Sequence, residues 1–205
     1  MAAATLSSLY YIDEQGMSFN VTYTLRASRV ERRIREVKEK FLDATPIKFV
    51  GLDCEFTNAV KNTTQADLPF EKRRRATVLQ LSVAQETLVF QIFHGDVVPE
   101  ALREFLNDDS IVFRGSDIGN DIDKLDYYGI DIPAAIDLLQ EIQNPTAKPL
   151  ASLYNMTNAY IGTNLPKKDP KISALRWDGF FLKCGKITPA SASKGCTRLF
   201  LLDYS

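Results

Sequence analysis

The stretch IKFVGLDCEF (47–56) sets two carboxylates into an apolar run. Six of its ten residues are apolar, which is the composition of a buried strand. Side chains alternate faces along a strand, so Asp53 and Glu55 point the same way, about 7 Å apart. Two unpaired carboxylates are costly to bury, and like charges this close raise each other's pKa. A divalent cation would neutralise them. Mg²⁺ is hard, prefers oxygen ligands and is usually held by one or two carboxylates together with substrate phosphates. The plainer alternative places 53–56 beyond the strand's end, with both carboxylates solvated.

A second acidic stretch strengthens the metal reading. IVFRGSDIGNDIDKL (111–125) puts a core strand directly before a helix start, with aspartates at the junction. Ligand sites in α/β sheets gather where strands end and helices begin. Asp121 falls in the first helical turn and competes with Asp117 and Asp123 for a place near Asp53. A simple capping role for Asp117 or Asn120 is the alternative.

The elements that must position these acids follow from periodicity. FNVTYTL (19–25) alternates as a strand. Ser28 with Glu31 forms a capping box, and Val30, Ile34, Val37 and Phe41 give residues 29–43 one apolar helical face. Residues 47–56 are the acidic strand, and the polar stretch 57–76 is a loop. TVLQLSVA (77–84) and TLVFQIF (87–93) form a hairpin turning at Gln85 and Glu86. A short helix with Leu102, Phe105 and Leu106 follows Pro99, then a strand at 111–115 and a helix over 120–129 ending at Gly129. AIDLLQ (135–140) fits strand or helix equally, and 152–162 is a helix closed by Gly162. This order predicts one mixed α/β sheet with helices packed on its faces. Beyond residue 163 the pattern weakens.

Composition narrows the function. The chain has 205 residues, 45% hydrophobic and 25% charged, with a net charge of −1. That fits one domain with a real core, or one domain plus a tail, and no global basic field. No apolar run approaches the length of a membrane span, and the N-terminal stretch lacks the features of a signal peptide. Three cysteines, Cys54, Cys184 and Cys196, form no CxxC pair, so a reducing cytoplasm or nucleus is expected. The single histidine, His94, sits in FHGD, which reads as a turn after a strand and not as part of a catalytic triad.

LDCEF followed far downstream by GNDIDKL resembles the first two motifs of the DEDD 3′–5′ exonucleases, on the RNase H-like (DnaQ-like) fold. The similarity is greatest to Werner-syndrome-type exonucleases and to the small plant exoribonucleases that clear fragments from RNA-silencing complexes. The first motif's D-x-E matches Asp53 and Glu55. The second motif's D-x-x-K-L matches Asp121, Lys124 and Leu125. TVLQLSV resembles the family's second strand and SLYNMTNAYIG its S-L-x-x-L…G helix; with Trp177 included, the resemblance covers roughly residues 47–177. It implies a 3′–5′ exonuclease domain over 1–162, with its core from about 19, and phosphodiester hydrolysis with two ions, Mg²⁺ or Mn²⁺. Asp53, Glu55 and Asp121 would be both the catalytic and the metal-holding residues. The implied substrate is a single-stranded nucleic acid, RNA favoured over DNA, and a homo-oligomer or a silencing complex is the partner class that goes with it.

Other residues fit substrate contacts. EKRRR (71–75) would bring Arg73, Arg74 and Arg75 to phosphates, against the alternative of a solvated charged face. Phe56 and Thr57 would stack on, or hydrogen-bond to, the terminal nucleotide, unless Phe56 is core. Lys124 would reach a phosphate or pair with Asp121 or Asp123. The chain departs from the family at its fourth aspartate, expected near residue 193, where the sequence reads ASASKG. Asp178 comes too early, and Asp203 has the wrong spacing. Segment 163–205 is therefore read as a divergent, truncated or alternative end of the domain. The competing function is a catalytically impaired exonuclease fold serving as a nucleic-acid-binding or oligomeric scaffold. A third is a phosphohydrolase of small nucleotide esters using the same acids.

Overall fold

The computed structural model describes residues 7–14, 16–57, 75–148, 151–162 and 164. Among them, seven strands form one mixed sheet: β1 (Ser7–Glu14), β2 (Met17–Thr24), β3 (Lys48–Thr57), β4 (Arg75–Val83), β5 (Glu86–Phe90), β6 (Ile111–Gly115) and β7 (Ala135–Asp137). Their spatial order is β1-β2-β5-β4-β3-β6-β7. β3, β4 and β5 pair antiparallel, whereas β2 pairs parallel with β5 and β6 lies parallel to both β3 and β7. The acidic strand is therefore central. The helices are α1 (Ala27–Val37), α2 (Glu100–Leu106), α3 (Ile118–Leu125), α4 (Leu138–Glu141) and α5 (Leu153–Tyr160). This is the mixed α/β sheet that the sequence predicts.

Alternation builds the main core on one face of the sheet. Val50, Leu52 and Cys54 of β3 lie there with Leu79 and Leu81 of β4, Leu88 and Phe90 of β5, and Phe113 of β6. Val30 and Ile34 of α1, Leu102 and Phe105 of α2, and Ile118 and Leu125 of α3 cover them. Each such side chain contributes about 1.5–3 kcal/mol by leaving water. Val21, Tyr23, Val78 and Val89 form a smaller cluster, against which Tyr10 and Ile12 of β1 pack.

Several expectations are corrected. Ser28 does not begin α1: the helix starts at Ala27, and its N-cap residue Arg26 makes no side-chain cap. Asp96 takes that role from 69 residues away, its Oδ1 accepting the Ala27 N–H at 2.8 Å. Burial works to raise the Asp96 pKa, but the N–H groups of Ala27 and Val97 and the Arg26 charge outweigh it and hold it below the usual carboxylate range. The hairpin turn falls at Ala84 and Gln85, one residue early, with Glu86 already in β5 opposite Val83. β5 stops at Phe90, and Ile92–His94 form a 3₁₀ turn, so His94 does lie in a turn after a strand. AIDLLQ resolves into both of its readings, strand over 135–137 and helix from Leu138. β1, which has no counterpart in the sequence reading, pairs with β2 from Ser7↔Thr24 to Glu14↔Met17. No helix among the described residues is long and apolar enough to cross a membrane.

Candidate functional site

β3 runs through Asp53 and Glu55 to Thr57, so the acids lie within the strand and not past its end. Leu52 and Cys54 turn to the core, while Asp53 and Glu55 share the other, half-exposed side. Opposite Asp53 in the antiparallel ladder stands Gln80 of β4, fully buried. Its Nε2 donates to Asp53 Oδ2 at 2.9 Å, which fixes where that carboxylate points. Beyond the Glu55↔Val78 pair the register slips, and Phe56 faces Ala76, leaving Thr77 as the extra residue of β4. Thr77 Oγ1 donates to the Glu55 carbonyl at 2.8 Å and so secures the bulge. Bulges of this kind re-aim side chains beside active sites.

The third acid arrives from the neighbouring strand. β6 follows β3 only from Lys48↔Ile111 to Gly51↔Arg114, then leaves the sheet at Gly115. A Cβ on Gly115 would lie 2.8 Å from the Leu52 carbonyl oxygen and 3.0 Å from Ile118 Cβ. Glycine thus permits the close approach that starts α3 beside Asp53. Asp117, at the turn, adopts a left-handed backbone (φ 60°), which aspartate tolerates better than most residues. Its side chain makes no cap; instead its N–H donates to Asp137 Oδ1 at 3.1 Å, tying the turn to the end of β7. On α3, Ile118, Asp121, Lys124 and Leu125 face inward, while Asp117 and Asp123 are exposed. Of the three competing aspartates, Asp121 alone is buried.

Where β6 no longer pairs with β3, the Cys54 backbone N–H donates to the Asp121 carboxylate. Asp121 therefore lies against the residue between Asp53 and Glu55. Its carboxyl pKa is pushed up to about 9, first by burial, then by the charges of Asp53, Asp117 and Glu55, with the Cys54 N–H opposing the rise. Asp121 Oδ2 is buried with no hydrogen-bond partner among the described residues. Such an orphaned oxygen costs about 1–3 kcal/mol, and an all-oxygen set of three acids suits a hard divalent cation. Among the described residues, however, no three acidic, histidine or cysteine side chains stand close enough together to hold an ion as they are. The donor chemistry fits the metal, and Asp53, Glu55 and Asp121 are the residues that would hold it.

The remaining candidates are more scattered. Phe56 is partly buried and packs against the core, in line with its alternative reading. Thr57 ends β3 opposite Arg75. Lys124 is 8% exposed, and no ion pair joins it to another described residue. Arg73, Arg74, Trp177, Asp178 and Asp203 lie outside the described residues, as does the segment where a fourth aspartate was sought. Sequence reading missed Gln80 and Thr77, although a glutamine inside the apolar run TVLQLSV signals a buried polar group in need of a partner.

Solved structures of similar shape place this architecture. Escherichia coli RNase D, described as an exoribonuclease involved in structured RNA processing, superposes with a TM-score of 0.63 at 17% identity over 94% of this chain. The EXO domain of Aedes aegypti Nibbler does so with a TM-score of 0.60 at 12% identity, over 88% of this chain and 84% of its own. The fold is the RNase H-like exonuclease fold. A structure described as the apo form of a nuclease agrees, with a TM-score of 0.56 at 14% identity, over 90% of this chain and 77% of that one. The chain spans 43% of the RNase D structure. No protein-family model matches the sequence, and no curated protein does so. At these identities the likeness speaks for the fold, which is the one implied by the DEDD-type motifs.

Proposed function

We propose that this chain is a divalent-metal-dependent 3′–5′ exonuclease of single-stranded nucleic acid, with RNA favoured over DNA. The observation that carries the reading is the convergence of Asp121 on the Cys54 amide, between Asp53 and Glu55, with one carboxylate oxygen buried and without a hydrogen-bond partner among the described residues. Three acids from two distant stretches of chain serve no evident packing purpose there, and buried like charges are retained at a cost. Asp53, Glu55 and Asp121 would hold two Mg²⁺ or Mn²⁺ ions. These would neutralise charge on the phosphodiester and make a water more acidic.

The chain's own groups set the rest. Gln80 orients Asp53, and Thr77 holds the Glu55 backbone through the bulge. Thr57, at the end of β3, would meet the terminal nucleotide, while Arg74, Arg75 and Lys124 would meet phosphates. RNA is favoured by the motif likeness to the plant exoribonucleases. The exonuclease domain is taken as residues 1–162.

A 5′-labelled single strand, as RNA and as DNA, tests the proposal in Mg²⁺ and then Mn²⁺. A ladder shortening from the 3′ end, abolished by Asp53→Ala, is expected. Binding without shortening in either ion would overturn the exonuclease and leave the scaffold reading; cleavage of a nucleotide ester alone would leave the small-molecule phosphohydrolase.

A further inference from the structure

A second feature stands on the same rim as the acids. Thr57 lies two residues past Glu55, and Arg75 is its ladder partner, so the Arg75 backbone sits about 7 Å further along the strand direction. The Arg75 guanidinium carbon is 4.8 Å from the Phe93 ring centroid and 4.6 Å from that of Tyr127. Phe93 belongs to the 3₁₀ turn after β5 and Tyr127 to the 3₁₀ turn Asp126–Tyr128 after α3. Three segments from separate parts of the chain thus meet around one cation.

Aromatic rings satisfy the faces of a guanidinium but leave its in-plane N–H donors unused. No carboxylate among the described residues pairs with those of Arg75. Tyr127 is 51% exposed, and its ring and that of Tyr128 meet edge-on at 5.1 Å. Tyr128 is itself pinned: its Oη donates to the Ala76 carbonyl at 2.6 Å, and its own carbonyl accepts from Arg103 Nη1 at 2.6 Å. A half-open π-face and an immobilised planar cation are therefore held side by side. Planar donors suit a phosphate, and π-faces suit a nucleobase irrespective of sequence.

We infer that Arg75, Phe93 and Tyr127 form a nucleotide subsite distinct from the acidic cluster. Tyr127 stacks a base, and the N–H edge of Arg75 takes the adjoining phosphate of a single strand. The subsite rests on the exonuclease reading only for which part of the strand it grips, namely the nucleotides upstream of the 3′ end. Binding itself is separable from turnover.

Fluorescence anisotropy of a labelled single-stranded oligonucleotide, RNA and DNA in parallel, measured in EDTA, isolates binding. Tyr127→Ala is expected to weaken it on the order of tenfold, while Tyr127→Phe keeps the π-face and the affinity. Arg75→Gln is expected to lower the slope of log Kd against log salt by about 0.7, the signature of one lost phosphate contact to a single strand. Thermal melts of each variant separate this from loss of fold, and half-exposed Tyr127 gives the cleaner arm. Unchanged affinity in Tyr127→Ala, or equal losses in Tyr127→Ala and Tyr127→Phe, would overturn the subsite. So would failure of the parent chain to bind any single strand. A 3′ ladder from a chain whose affinity ignores Tyr127 would sink the subsite and spare the exonuclease.

Discussion

Gln80 shows how much of the candidate site is decided one residue away from the acids themselves. Its Nε2 makes the 2.9 Å hydrogen bond to Asp53 Oδ2, and its own Oε1 is buried without a hydrogen-bond partner among the described residues. A glutamine tolerated under those terms is there for Asp53. Gln80→Leu keeps the volume and the burial while freeing the Asp53 rotamer. Losing such an orienting partner typically costs 10–100-fold in metal affinity. Mn²⁺ titration followed by electron paramagnetic resonance is expected to show a loss of about tenfold with little change in melting temperature. Unaltered affinity would mean that the bond is idle. At this scale the candidates were legible: D-x-E in a strand pattern marked Asp53 and Glu55, and the likeness to a D-x-x-K-L motif chose Asp121 over Asp117 and Asp123 as the third acid of the proposal. Gln80 was visible as a residue type, but its partner depended on the β3–β4 register, a property of two strands and not of one.

The elements carry the next constraint, and it centres on how β6 gives way to α3. Gly115 ends the strand where any Cβ would press into the Leu52 carbonyl, one residue before Asp53. Gly115→Ala must push β6 and α3 away from β3, at a typical cost of about 1–3 kcal/mol for overpacking. For a chain of this size that lowers the melting temperature by roughly 2–4 °C per kcal/mol. Because the same shift draws Asp121 off the Cys54 amide, metal affinity should fall in parallel; a loss of stability alone would show that α3 can slide without disturbing the acids. Strands with their own periodicity, such as 111–115, were readable to the residue. The α1 start was not, because the group that satisfies its first N–H is Asp96, supplied by a loop after β5. Ser28 and Glu31 had the right types and spacing, yet a tertiary cap displaced the local one. AIDLLQ was ambiguous for a plain reason: three residues serve the sheet edge and the next four turn into a helix under the Asp137 side chain, whose Oδ1 accepts the Leu139 N–H at 3.0 Å.

For the whole molecule, most strands could be read from the sequence, β1 and the undecided β7 excepted, but strand order could not, since pairing β2 with β5 and β3 with β6 joins segments far apart in the chain. That same long-range assembly is what stores electrostatic cost at Asp121, and the cost makes global stability depend on pH in a definite sense. The native Asp121 pKa, about 9, exceeds the ordinary carboxylate value of 3.8, so the folded chain holds this proton more tightly than the unfolded one. The stability this confers is complete below about pH 4 and is lost as pH rises through about 9. Chelator-treated protein should therefore melt progressively earlier between pH 5 and pH 9. Asp121→Asn, which carries no charge at any of these values, should match the parent chain near pH 4 and overtake it by more than about 1 kcal/mol at pH 9. Mn²⁺ or Mg²⁺ should reverse the trend in the parent chain alone. At a hundredfold excess over Kd the gain is about 2.7 kcal/mol, and calorimetry in buffers of different ionisation enthalpy should detect the proton that the cation displaces. A parent–variant difference that stays level across the pH range would place the Asp121 carboxyl in ordinary solvent, remote from the charges of Asp53 and Glu55, and the metal-holding role of the three acids would fall with it.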